Sequence, residues 1–239
     1  MDISWLTDDC EDFPSVNNAL EEPNGLLAAG GDLSTKRLIN AYTNGIFPWY
    51  DDDQPILWWS PNPRAVIIPS QLHCSKSLKK SIRKSTLNYT FDKAFTDVIG
   101  RCGAVREHNR GTWITEEMRD AYTELHYQGH AHSIEIWDEQ ELVGGLYGVA
   151  IGKVFFGESM FSLQANASKM AMLAIGKHLD ECGYKLIDCQ VESDHLFTMG
   201  AVLITRDNFI QSLRNLVDAT ADKHPWDTSG KMLLRDLLA

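Results

Sequence analysis

The chain has 239 residues, 44% hydrophobic and 10% aromatic, enough for one large or two small packed domains. Its formal charge of -11 argues against general nucleic-acid affinity, and its five scattered cysteines form no CxxC pair. With no run of about 18 apolar residues and no signal-like N-terminus, a disulfide framework, a zinc knuckle, export and membrane spanning are not expected, and a reducing cytoplasm is the expected setting.

The first 35 residues carry eight acids and no lysine or arginine. After the turn "EEPNG" and the glycine-rich "LLAAGGDLS", Ser34 suits a helix N-cap. Leu38, Ile39 and Tyr42 then share one apolar face, and Gly45 suits the C-terminal cap. In "GIFPWYDDDQPILWWSPNPRAVIIP", Pro61, Pro63 and Pro69 forbid a continuing helix. They put a domain boundary near residue 62, with a small N-terminal α/β domain over 1–62 and a larger one over 63–239. Trp58 and Trp59 read as a seal between the two. Trp49, and Trp113 of "GTWIT", suit either such a seal or a platform for a nucleobase.

Helices are expected near 75–84, 91–102 and 115–128, followed by strands near 132–138, 142–151 and 153–158. A helix over 166–181, ended by Gly183, precedes a strand at 185–190. A short helical segment at 193–199, a strand at 201–205 and a helix capped by Thr205 complete the series. Strands and helices mixed around an antiparallel meander read as α+β with a mixed sheet.

Residues 73–110 reverse the overall charge, with nine basic residues against three acids. Lys76, Lys79, Lys80, Arg83 and Lys84 fall on one helical stripe, with Leu78 and Ile82 facing away. Such a stripe is either a solvated lysine face or a surface for a polyanion, whose binding would relieve the mutual repulsion and release counterions.

In "VFFGESMFS", Glu158 ends an apolar strand, and a carboxylate in that setting is paired, protonated or used in chemistry. Asp188 and Gln190 end the strand "KLIDCQ", alternating onto one face with Cys189 opposite. They suit a reaction centre or a pair of buried hydrogen-bonding groups. His130 and His132 have no third ligand at a familiar metal spacing, so no metal site is expected. GxSxG, P-loop and GxGxxG signals are absent.

The blocks "EPNGLLAAGGDLS", "GIFPWY", "LWWSPNPRAV", "GTWIT", "AHSIEIW", "LVGGLYGVAIG", "FFGESMFS", "NASK" and "LIDCQV" together closely resemble the bacterial leucyl/phenylalanyl-tRNA-protein transferase family, over about residues 13 to 215. The resemblance implies a C-terminal domain related to the acyl-CoA N-acyltransferase fold. It implies transfer of Leu or Phe, and weakly Met, from aminoacyl-tRNA to an N-terminal Arg or Lys of an acceptor protein, which marks that protein for degradation. It implies an aminoacyl side-chain pocket including Leu146, Phe155, Met160, Met172 and Ile175, contacts of the terminal adenosine with Trp49 and Trp113, and contacts of the acceptor stem with the basic stripe. It gives catalytic roles to Asp188, Gln190 and Glu158. An aminoacyl ester is already activated, so the reaction calls for no cofactor. Gln is too weak a base at neutral pH, which favours Gln190 orienting the attacking amine while Asp188 holds Gln190 in place. Two rival functions are an acetyl-CoA-type N-acyltransferase and a non-catalytic tRNA-binding protein. The connection "SLQANASK" lacks the glycines expected around a CoA pyrophosphate.

Overall fold

The computed structural model describes residues 3–7, 9–110, 114–221, 226 and 230–238, with the side chains of 105–110 excepted. Two sheets organise the chain. The first contains β1 (Ser4–Leu6), β2 (Leu26–Gly30), β4 (Leu57–Trp59) and β3 (Phe47–Pro48), in that order. Helix α1 (Thr35–Thr43) lies between β2 and β3 in the chain. The Ser34 side chain accepts from the Arg37 N–H at its start, Leu38 and Tyr42 are buried, and Gly45 takes φ +74° beyond its end.

The second sheet begins with β5 (Arg64–Ile67) and includes β6 (Asn88–Phe91), β7 (Ala131–Asp138), β8 (Glu141–Ile151), β9 (Val154–Ser162), β10 (Leu186–Gln190), β11 (Val202–Ile204) and β12 (Met232–Leu233). Its order is β11-β5-β10-β9-β8-β7-β6-β12. Every neighbouring pair is antiparallel except β9 and β10, which the crossover helix α5 (Ala167–Glu181) joins in parallel. The other helices are α2 (Lys76–Lys84), α3 (Phe95–Arg110), α4 (Glu116–Tyr127), α6 (Asp194–Thr198) and α7 (Arg206–Leu216). The architecture is the expected α+β arrangement around a mixed sheet.

Two apolar clusters hold these layers. One runs from Leu38, Tyr42 and Trp58 into Val66, Phe95, Tyr122, Phe156 and Phe209, so the residues around the first sheet and those around the second share a core. The other contains Leu78, Ile82, Leu146, Phe155, Met172, Ile175 and Ile187. Between α5 and β8 the approach is close enough to require glycine: a Cβ on Gly144 would stand 2.5 Å from Ala167 Cβ.

Where a helix is expected from residue 91, the chain instead pairs Asn88–Phe91 with β7 and begins α3 at Phe95. A tertiary contact sets this boundary. The buried Glu135 carboxylate on β7 accepts from the backbone N–H groups of Lys93 and Ala94, capping α3 from another strand.

Candidate active site

The parallel pairing of β9 and β10 stops at Phe156 and Asp188, and beyond that point each strand carries a bulge against its other neighbour. On β9, Gly157 faces Gly148 and Ser159 faces Tyr147, which leaves Glu158 as the extra residue. On β10, Asp188 faces Val66 and Gln190 faces Ala65, which leaves Cys189 as the extra residue. Bulges bend strands and re-aim side chains. Here they adjoin a cavity of about 480 Å³, lined by the ends of both strands together with parts of β8, α5 and α6.

The β9 bulge explains the composition of that cavity. In a regular strand Phe155 and Met160, five residues apart, would face opposite sides. With one extra residue between them, both line the cavity, alongside Leu146, Met172, Cys189 and Leu196. Gly148 accommodates Phe155, since a Cβ there would lie 2.6 Å from the ring. Four of the five expected pocket residues therefore come together. Ile175 does not line the cavity; it is fully buried in the same apolar cluster as Leu146, Phe155 and Met172.

The polar wall is Glu158 and Gln190, both buried. Glu158 Oε1 accepts from Tyr42 Oη at 2.7 Å and from Gln190 Nε2 at 3.1 Å, while Oε2 accepts from Tyr122 Oη at 3.1 Å. The two phenolic oxygens are also within hydrogen-bonding distance of each other, and with one proton on each phenol all three contacts are made together only when Glu158 is protonated and donates one of them. Burial is the main influence on the Glu158 carboxyl and lifts it to about 7 against the opposing effect of the two phenols. It therefore stands close to the point of gaining or losing its proton at neutral pH.

Asp188 is fully buried behind this wall and does not line the cavity. Its Oδ1 accepts from Arg64 Nε at 2.9 Å and its Oδ2 from Arg64 Nη2 at 2.7 Å, a bidentate pair. Arg64 also donates through Nη1 to the Gly45 carbonyl at 3.2 Å and lies over the rings of Phe47 and Phe209. Asp188 Oδ1 further accepts from the Gln190 backbone N–H at 3.0 Å, where Gln190 holds the left-handed φ of +60°. Asp188 thus fixes Gln190 through its backbone, and Glu158 fixes the side-chain amide. The simple alternation of Asp188 and Gln190 against Cys189 does not hold, because the bulge lets both Cys189 and Gln190 reach the cavity.

Sequence reasoning missed Arg64, Tyr42 and Tyr122 as members of this network. A charge-balance signal was present for Arg64, since a carboxylate at the end of a buried strand needs a cation and "RAVIIP" places a lone arginine at the start of an apolar run. Nothing local marked Tyr42 or Tyr122, which read as ordinary core residues.

The basic stripe forms as expected. Lys76, Lys79, Lys80, Arg83 and Lys84 are all exposed on α2, and Leu78 and Ile82 are buried. Among the described residues no ion pair engages these five cations. Trp49 is 43% exposed and stands 5.6 Å, ring to ring, from Trp59, whose indole N–H donates to the Trp49 carbonyl. It does not line the cavity. Trp58 is fully buried, as a sealing residue should be. Trp113 lies outside the described residues.

Asp92, His126 and His132 bring potential metal-ligating atoms within 4.8 Å of one another. Those atoms are already engaged: His132 Nδ1 meets Asp92 Oδ2 at 2.6 Å and its Nε2 meets the Gly129 carbonyl, while His126 Nδ1 meets the Ala131 carbonyl. An incoming ion would have to displace these contacts, and the cluster reads as a bracing network between β7 and the turn after β6. Among the described residues no helix is long and apolar enough to cross a membrane.

Residues 66–214 match the model of the leucyl/phenylalanyl-tRNA protein transferase family, and residues 31–62 match that of the family's N-terminal domain. The chain belongs to this family. It is 53% identical to the leucyl/phenylalanyl-tRNA--protein transferase of Shewanella baltica strain OS223 over 97% of its own length and 98% of the relative's. The Cellvibrio japonicus protein of the same name is 53% identical over 92% of this chain and 94% of its own. That of Pseudomonas fluorescens is 55% identical over 90% and 96% respectively.

Proposed function

We propose that the chain is an aminoacyltransferase that moves Leu or Phe, and weakly Met, from aminoacyl-tRNA to the N-terminal Arg or Lys of an acceptor protein in the cytoplasm, marking that protein for degradation. The observation that carries this reading is a cavity in which an apolar lining meets a polar wall of Glu158 and Gln190. The apolar part suits the aminoacyl side chain, held by Leu146, Phe155, Met160 and Met172, with Ile175 packed in the supporting core. Glu158 receives the amino group of the aminoacyl ester, which leaves the ester carbonyl exposed to attack.

Gln190 donates its side-chain N–H to Glu158, and its amide oxygen is the part that accepts from the acceptor's amine. Asp188, paired with Arg64, holds the backbone conformation that aims this amide. The terminal adenosine stacks on Trp49 and Trp113, and the acceptor stem follows the stripe of Lys76, Lys79, Lys80, Arg83 and Lys84. Residues 1–62 form the small domain and residues 63–239 the catalytic one, with the core of the first continuous with that of the second.

The test supplies Leu-tRNA and an Arg-initiated peptide and looks by mass for a Leu-extended product, with an Ala-initiated peptide as control. Absence of product from well-folded protein that still binds tRNA would replace the enzyme by a binding module.

A further inference from the structure

The wall just described lacks a base. Gln190 is a carboxamide, and Glu158, which already accepts from Tyr42, Tyr122 and Gln190, is committed in the reading above to the amino group of the aminoacyl ester. Asp188 is shut behind the wall in its pair with Arg64. One further titratable side chain lines the same cavity with an uncommitted ring nitrogen: His195, in the first turn of α6, six residues beyond the bulge at Cys189. Its Nε2 is enclosed and, among the described residues, has no hydrogen-bond partner. A polar atom held out of water without a partner is unfavourable, and an arriving N–H donor removes that penalty. The segment carrying it is a short helix whose residues are exposed or half-buried, and the role requires the ring to turn so that the enclosed Nε2 meets the cavity.

We infer that His195 is the general base of the transfer, taking through Nε2 a proton from the acceptor's α-ammonium. This role presupposes the aminoacyl-transfer reading above. The α-ammonium gives one proton to Nε2, and the freed amine attacks the ester carbonyl carbon. As the bond from that carbon to the ribose oxygen breaks, a second nitrogen proton passes to the departing oxygen, and the third stays on the new amide. His195 then returns its proton to solvent.

The surroundings keep the ring in the form this needs. Burial first, and then the Lys169 ammonium on α5, hold the imidazole below its usual range, which favours its neutral form. The other titratable groups lining the cavity are the Tyr147 phenol on β8, Glu158 on β9, the Cys189 thiol, which burial pushes up and keeps protonated, and Glu192 ahead of α6; Asp194 lies on α6 itself.

The experiment measures kcat/KM for an Arg-initiated peptide at saturating Leu-tRNA between pH 6 and 8.5, for the full-length wild type and for His195→Gln, correcting for spontaneous ester hydrolysis. An α-amine with pKa near 8 is only about 3% neutral at pH 6.5. The variant should therefore depend on free amine and rise about fifteenfold from pH 6.5 to 8, whereas the wild type should change by less than about threefold. A variant that keeps the wild-type profile overturns the assignment, as does a wild type that itself climbs with unit slope through this range, a result that stands even where the variant does not fold. Wild type that binds tRNA yet forms no Leu-peptide at any pH sinks the transfer reading and this role with it, and is distinguishable from both.

Discussion

Replacing Asp188 by Asn should be the most damaging small change in the protein, although Asp188 touches no open space. The substitution keeps shape but strands the Arg64 guanidinium, which is 1% exposed, beside a neutral amide. Breaking a buried ion pair by removing one partner costs about 3–5 kcal/mol, a large share of the about 5–15 kcal/mol that holds a folded domain together. For a chain of this size, that corresponds to a fall in melting temperature of about 6–20 °C. Arg64→Met should cost a similar amount, because it leaves the Asp188 carboxylate equally unpaired. The double variant Arg64→Met, Asp188→Asn should be markedly more stable than the sum of the singles implies, since no buried charge remains. Its transfer activity should stay low, because the Gln190 backbone loses its charged acceptor at Asp188 Oδ1. Urea denaturation of the four proteins gives the coupling, and the Leu-tRNA assay gives the activity. Additive stabilities, or wild-type turnover by the double variant, would refute the account of Asp188 as a buried positioning residue.

Glu158 carries a pH signature. Its folded-state pKa is raised to about 7, so the stability associated with its protonated form is complete below about pH 4.3 and is lost as pH rises through 7. Glu158→Gln should remove that loss, making the variant up to about 3 kcal/mol more stable relative to wild type at pH 8 than at pH 4.5, as read from urea midpoints. Tyr122→Phe takes away one donor to the carboxylate and should move the wild-type pH transition upward, which the same titration detects. Neutralising Lys80 and Arg83 together should leave folding within about 0.5 kcal/mol of wild type but weaken tRNA binding and reduce its salt slope by about 2. Unchanged binding would make the stripe a solvated face. Shortening Met160 to Ala widens the cavity beside Leu146, and the Phe-to-Leu ratio of kcat/KM should rise by roughly tenfold in competition between the two charged tRNAs.

Much of this molecule follows from local sequence. The helices at Ser34, Ser75, Thr115 and Thr205 begin at side chains that do accept from the backbone N–H three residues on. The meander of β7, β8 and β9 was visible in its alternation and glycines, and the basic stripe lies on the face its spacing predicted. The misread lay where a partner distant in sequence decided the outcome. Residues 88–91 became a strand because β7 offered an edge, and α3 started late because Glu135, more than forty residues away, supplied its cap.

The sequence by itself determined which residues are polar in apolar surroundings, and so flagged Glu158, Asp188 and Gln190. Their arrangement was decided by tertiary structure. Two bulges, each one residue long, put Phe155 and Met160 on one side, separated Asp188 from the cavity and turned Gln190 into it. A bulge is a mismatch between two strands, defined only once the partner is in register, so neither strand's sequence contains it. The same holds for Arg64, Tyr42 and Tyr122. They reach their carboxylates across 124, 116 and 36 residues of chain, distances over which periodicity carries no information.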